Sequence, residues 1–263
     1  GNSGIALGRY PYYEPASRGV PLDRLLDQLG RLPAGDVVLL HACCHNPTGV
    51  DLEPGQWEAV ADVLERRGLV PFVDLAYQGF GDDLESDVAG LRLLAARLPT
   101  LLLAISCSKN FGLYRERVGA VYFVTATPAQ ADAVQTQAMA AARQIYSMPP
   151  AHGAAIVSTI LGDAALKADW LEELGEVRGR INAMRALLAA RLEGNAAGKD
   201  FGFITRQKGM FSYFGITPQQ VTRLREEFAV YMMESTRINL AGITPANIDD
   251  LAAAVHAVLE PAA

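Results

Sequence analysis

The first half of the chain alternates short apolar runs with stretches in which apolar residues recur every three or four positions. Asp36–Cys43 (DVVLLHAC) is a short apolar run and predicts a buried strand. Pro54–Arg67 sets Trp57, Val60, Ala61 and Leu64 at helical spacing, and Gly68 follows as a stop. Leu69–Leu75 predicts a second strand, Val88–Arg97 a second helix, Leu101–Ser106 a third strand and Val118–Val124 a fourth. Strand, helix, strand, helix, strand implies βαβ units and a parallel sheet.

The pattern changes around Pro149-Pro150. Helical spacing runs through Gln130–Tyr146, Ala151–Leu161 and Ala164–Leu192, the last ended by Gly194-Asn195. Beyond it, Phe211–Phe214, Val230–Met233 and Arg237–Leu240 predict short strands, and Pro218–Phe228 and Pro245–Leu259 predict helices. The fold class is therefore α/β. A mostly parallel sheet occupies residues 1–162, and a smaller α+β C-terminal domain occupies residues 163–263.

Composition narrows the function classes. Half of the 263 residues are hydrophobic, enough for a sizeable core, and the net charge of -6 disfavours nucleic acid as a partner. No apolar run approaches the roughly 18–20 residues that span a bilayer, so no membrane is expected. Three cysteines suit a reducing compartment better than a disulfide framework, which favours the cytoplasm. The opening Gly1-Asn2-Ser3-Gly4 lacks a start methionine and reads as a truncated or processed chain. His41, Cys43 and His45 alternate along the first predicted strand. A closed metal site needs a fourth ligand, none is near, and no metal is expected.

Open α/β sheets bind ligands beyond the carboxyl ends of their strands. The first strand is followed by His45-Asn46-Pro47-Thr48-Gly49. The second ends in Asp74-Leu75-Ala76-Tyr77, and the third in Ser106-Cys107-Ser108-Lys109-Asn110. Singly, such an aspartate is most often a turn cap and such a lysine a solvated loop residue. Jointly they send an amide, a carboxylate with a phenol, and an amine among hydroxyls toward one sheet edge.

Ser106–Tyr114 (SCSKNFGLY) followed by Glu116-Arg117-Val118-Gly119 resembles the cofactor-lysine segment of class I pyridoxal-phosphate aminotransferases, in the aspartate and aromatic amino acid branch. HACCHNPTG (41–49), DLAYQGF (74–80), YSMPPAHGA (146–154), GMFSYFG (209–215), LREEFAVY (224–231) and RINLAG (237–242) resemble the same family in the same order. The likeness runs from about residue 8 to about 260, without the family's N-terminal portion. It implies pyridoxal 5'-phosphate as cofactor and transamination between an L-amino acid, aspartate or aromatic, and a 2-oxo acid such as 2-oxoglutarate. It implies Lys109 as the residue holding the cofactor covalently and moving the proton, and Asp74 as the partner of the pyridinium nitrogen. Tyr77 and Asn46 would meet the phenolic oxygen. Ser106, Ser108 and Arg117 would bind the phosphate, a task suited to hydroxyls and a planar guanidinium. Arg237, with Asn46, would hold the substrate α-carboxylate. Arg143 would reach a distal carboxylate in a neighbouring subunit, which implies a homodimer with shared sites. Met148 departs from the small polar residue usual in the family, so the aspartate–aromatic balance is not fixed by the likeness.

Two other readings compete. Ser106-Cys107-Ser108-Lys109 also fits the S-x-x-K motif of penicillin-binding enzymes, but neither S-D-N nor K-T-G occurs and a strand precedes the motif rather than a helix following it. The other is a truncated, non-catalytic module of the same fold.

Overall fold

A computed structural model describes residues 4–260; the ends of the two predicted domains, 1–3 and 261–263, lie outside the described residues. The chain opens with α1 (Leu22–Gly30), which the strand-and-helix reading above does not contain. Its signal is present: Leu22, Leu25, Leu26 and Leu29 recur at helical spacing, and Leu25 and Leu29 are fully buried.

Three parallel strands follow, β1 (Val37–His41), β2 (Val70–Leu75) and β3 (Leu101–Ser106), with β4 (Gly119–Val124) antiparallel at the edge. The spatial order is β1-β2-β3-β4. Parallel neighbours need crossovers, and α2 (Pro54–Arg67) and α3 (Ala89–Arg97) supply them. At the start of α2, Glu53 and Gln56 form a reciprocal capping box with Pro54 as first helical residue. At its end Gly68 turns left-handed at φ 62°, a conformation that glycine adopts without steric cost. Val38, Leu40, Val73 and Leu75 on one sheet face join Trp57, Val60, Leu64 and Leu94 in the core. On the opposite face Val37, Leu39 and Val121 of β4 are exposed, and Tyr122 is exposed on the core side of that edge strand.

Next come α4 (Pro128–Tyr146), α5 (His152–Gly162) and α6 (Ala164–Arg191). No residue of α4 is buried. Asp163 caps α6 by accepting from the N–H of Ala165 and Leu166 at 2.9 and 3.0 Å. With 28 residues, α6 is about 42 Å long. It packs against two short 3-10 helices (Gly202–Arg206 and Leu240–Gly242) and α8 (Ile248–Leu259); α7 (Pro218–Phe228) lies against α8, and β5 (Phe211–Tyr213) pairs antiparallel with β6 (Arg237–Asn239).

Val230–Met233 is not a strand. Ala229 turns left-handed at φ 53° after α7, and Val230 and Met232 pack on the core while Tyr231 and Met233 stay exposed. The alternation is real, but one-sided packing satisfies it without a partner strand. The first strand stops at His41 rather than Cys43, because the Asp51 carboxylate takes the backbone N–H of Cys44 and His45. The last helix starts at Ile248 rather than Pro245. Asn247 accepts from Thr244 N–H at 2.8 Å and closes a turn first.

Candidate active site

The sheet register sets the stage. His41 pairs with Asp74, and Asp74 with Ala104, so the three share one sheet face, with Ser106 two residues further along β3. This is the face not covered by α2 and α3. Asp74 is half-buried, and among the described residues its carboxylate has neither hydrogen bond nor ion pair. His41 lies beside it. Burial lowers the His41 pKa, and the Asp74 charge opposes part of that fall.

Tyr77 and Lys109 meet at the strand ends. Tyr77 is buried, and the Lys109 ammonium sits over its ring, 4.7 Å from the centroid. Burial raises the Tyr77 pKa; Tyr114 and Asp74 add to the rise, while the Asn46 amide pulls the other way. Lys109 is half-buried and has no carboxylate partner among the described residues. Its backbone is fixed by its neighbours. Asn110 donates to Gln78 O at 3.3 Å, Trp170 of α6 donates to Asn110 O at 2.6 Å, and Phe111 stacks on Trp170 at 4.4 Å.

Ser106, Ser108 and Arg117 surround the same turn. Ser108 N–H donates to Ser106 Oγ at 3.2 Å, and Cys107 N–H to Val118 O at 3.1 Å, which brings the Arg117 segment against the serines. Arg117 is exposed, at φ 49°, with its guanidinium on Tyr114 O at 3.1 Å.

Asn46 links the two sheets. Its Oδ1 accepts from Arg237 Nη1 at 3.0 Å, a contact across 191 residues of sequence. Arg237 also lies over the Phe211 ring, 4.5 Å from its centroid, and Phe211 meets Tyr77 edge-on at 6.4 Å. The loop carrying Asn46 is held from both sides. His45 stacks on Tyr12 at 3.9 Å and its Nδ1 shares a 2.8 Å hydrogen bond with Thr48. Gly49 at φ 73° runs so close to Phe211 O that a Cβ there would overlap it.

Asn46, Asp74, Tyr77, Ser106, Ser108, Lys109, Arg117 and Arg237 thus come from strands β2, β3 and β6 and from the loops after β1, β2 and β3. Arg143 does not join them within the chain. It is exposed on α4, and its guanidinium makes no hydrogen bond or ion pair among the described residues. The trio of His41, Cys43 and His45 does not form either. With the strand ending at His41, the turn brings the rings of His41 and His45 to 4.6 Å, while Cys43 groups instead with Cys44 and Asp87. That carboxylate already accepts from the N–H of Gly79, Gly81 and Asp82. Phe211, the platform under Arg237, carries no sequence signal of its own beyond the GMFSYFG segment.

A half-buried amine and a half-buried carboxylate, neither with an ion-pair partner among the described residues, stand at the carboxyl edge of a parallel α/β sheet, the place where such folds bind ligands. The model of the family "Aminotransferase class I and II" matches residues 2–255, and the chain belongs to that family. It is 48% identical over 258 residues to the aspartate aminotransferase of Escherichia coli (strain K12), covering 98% of this chain and 65% of that protein. It is 46% identical over 252 residues to the aromatic-amino-acid aminotransferase of Paracoccus denitrificans, covering 96% and 64%. Among solved structures, the aromatic-amino-acid aminotransferase of Burkholderia pseudomallei, covalently bound to pyridoxal phosphate, superposes with a TM-score of 0.95 at 47% identity, covering 98% of this chain and 64% of that one. The chain therefore spans just under two thirds of the length of these relatives. No helix among the described residues is long and apolar enough to cross a membrane.

Proposed function

We propose that this chain belongs to a pyridoxal-phosphate-dependent aminotransferase, exchanging an amino group between aspartate or an aromatic amino acid and a 2-oxo acid such as 2-oxoglutarate. One observation carries the reading: the Lys109 amine lies 4.7 Å from the Tyr77 ring, on the sheet edge that also bears the unpaired Asp74 carboxylate.

The donor set fits the cofactor. Lys109 would hold it covalently, Asp74 would face its ring nitrogen, and Tyr77 with Asn46 would meet its phenolic oxygen. Ser106, Ser108 and the exposed Arg117 guanidinium would take its phosphate, since two hydroxyls and a planar guanidinium suit a dianion. When bound, the pyridine ring supplies an electron sink for charge that develops at the substrate α-carbon. Within the chain, Lys109 Nζ would move the proton to and from that carbon. The Asp74 carboxylate would favour a protonated ring nitrogen, and Arg237 with Asn46 would orient the substrate carboxylate.

The division into residues 1–162 and 163–263 belongs to the same reading: the first unit offers Lys109 and Asp74, the second offers Arg237. So does a cytoplasmic homodimer in which Arg143 serves the site of the partner subunit. Support comes from the apolar side chains around Arg143, namely Met139, Ile145, Tyr146 and Met148, which are between 55% and 80% exposed in the isolated chain.

The test is an absorption titration of the intact protein with pyridoxal phosphate. The native protein gains a visible band that bleaches on adding aspartate, and Lys109→Ala gains none. A band of equal strength and full turnover in Lys109→Ala would refute the reading.

A further inference from the structure

Arg185, in the C-terminal third of α6, is the largest fully buried side chain among the described residues, at 1% exposure. No carboxylate pairs with it among the described residues. Its guanidinium is spent on backbone carbonyls of one segment instead. Nη1 donates to Ile204 O at 3.0 Å. Nη2 donates to Lys208 O, Gly209 O and Phe211 O at 3.1, 2.7 and 2.8 Å. Three acceptors on one nitrogen exceed its two hydrogens, so at least one bond is shared. Burial pushes the guanidinium pKa down to about 10, which leaves it charged near neutrality.

The clamped segment leads to the two residues that grip substrate in the proposed site. Phe211 opens β5, which pairs with β6 so that Tyr213 lies opposite Arg237, and the Phe211 ring underlies the Arg237 guanidinium. Lys208 N–H donates to Gly49 O at 2.8 Å, and Gly49 runs against Phe211 O. Gly49 ends the turn that carries Asn46. The Phe211 carbonyl is thus touched from one side by the Asn46 loop and from the other by Arg185. A four-carbonyl anchor is a task for a planar guanidinium and not for an ammonium on a flexible stem.

The geometry points to Arg185 as a positioning residue for the carboxylate clamp: it holds the backbone from which Arg237 and Asn46 are aligned with one another, 3.0 Å apart. It touches neither substrate nor cofactor. The inference rests on the reading of Arg237 as the substrate-carboxylate ligand.

Steady-state kinetics of the intact, cofactor-loaded protein test it, with Arg185→Lys, Arg185→Met, Arg237→Lys and Leu188→Ala. Leu188 is fully buried on the same helix and supplies a variant destabilised without loss of the carbonyl anchor. Arg185→Lys keeps the charge and the visible cofactor band. Its KM for the amino acid and for the 2-oxo acid rises by about 10- to 100-fold, the scale expected for a misplaced orienting group, while kcat changes by about 3-fold or less. Arg185→Met moves KM in the same direction and further. Leu188→Ala lowers the melting temperature but leaves KM within about twofold of the native value. A raised KM in Arg237→Lys beside a native KM in Arg185→Lys overturns the inference alone. A native KM in Arg237→Lys overturns the site reading and the inference with it. If Leu188→Ala raises KM as much as Arg185→Lys does, Arg185 is merely structural and the inference falls.

Discussion

His45 makes the Asn46 loop acid-labile, and the size of the effect follows from its surroundings. Its ring stacks on Tyr12 at 3.9 Å and lies tilted to the His41 ring at 4.6 Å, with Nδ1 shared with Thr48. Burial, and then the neighbouring His41, lower its pKa from 6.5 to about 3. A depressed pKa means that the unfolded chain binds the proton more readily than the folded one. The associated stability is complete above pH 6.5 and drains away as pH falls toward 3. At pH 5 the unfolded chain is protonated at this site and the folded chain is not, and the difference of about 1.5 pH units below 6.5 costs about 2 kcal/mol. Replacing His45 with Gln keeps a hydrogen-bonding group for Thr48 and removes the titration. Urea unfolding of both proteins at pH 7.5 and pH 5, followed by tryptophan fluorescence, measures the difference. The native protein should lose about 2 kcal/mol more than His45→Gln between the two pH values. His41 is present in both proteins, and its effect on the His45 pKa is part of the difference measured. Parallel losses in the two proteins would refute the claim that His45 is held neutral by its packing.

Gly49→Ala should lose about 2–4 kcal/mol of stability and weaken substrate binding, because a side chain at φ 73° meets both backbone strain and the Phe211 carbonyl; thermal unfolding and KM check it together. Asp74→Asn should fold normally by circular dichroism yet turn over at least about 100-fold more slowly, since a neutral amide no longer holds a proton on the facing ring nitrogen; unchanged kcat would count against its role. Arg143→Ala in the intact protein should raise KM for dicarboxylates by about 10-fold or more and leave aromatic substrates nearly unaffected, as expected for loss of a charge-assisted pair. Equal losses for both would make it structural.

The strand ends were readable because polar residues there interrupt apolar runs, and the register shows why they converge: parallel pairing puts His41, Asp74 and Ala104 abreast. The family likeness then rests on segments whose order the fold preserves. What periodicity could not convey is pairing. Val230–Met233 alternates like a strand but has nothing to pair with, and β4 is antiparallel although its composition matches its neighbours. Short-range capping was equally invisible, so Asp51 and Asn247 shift the ends of β1 and α8. The Asn46–Arg237 bond and the Arg185 anchor depend on contacts across 191 and on carbonyls across 19 to 26 residues, respectively, and neither distance has a sequence signature. Arg185 sits among Ile181, Met184 and Leu188 on the buried face of α6, where spacing alone suggests an apolar side chain.

The chain contains four lysines, Lys109, Lys167, Lys199 and Lys208. Reducing the intact, cofactor-loaded protein with borohydride and mapping its peptides by mass spectrometry reads directly which amine holds the cofactor. A phosphopyridoxyl group is expected on Lys109 and on no other lysine of this chain. The label on Lys167, Lys199 or Lys208, with Lys109 unmodified, would contradict the Lys109 assignment.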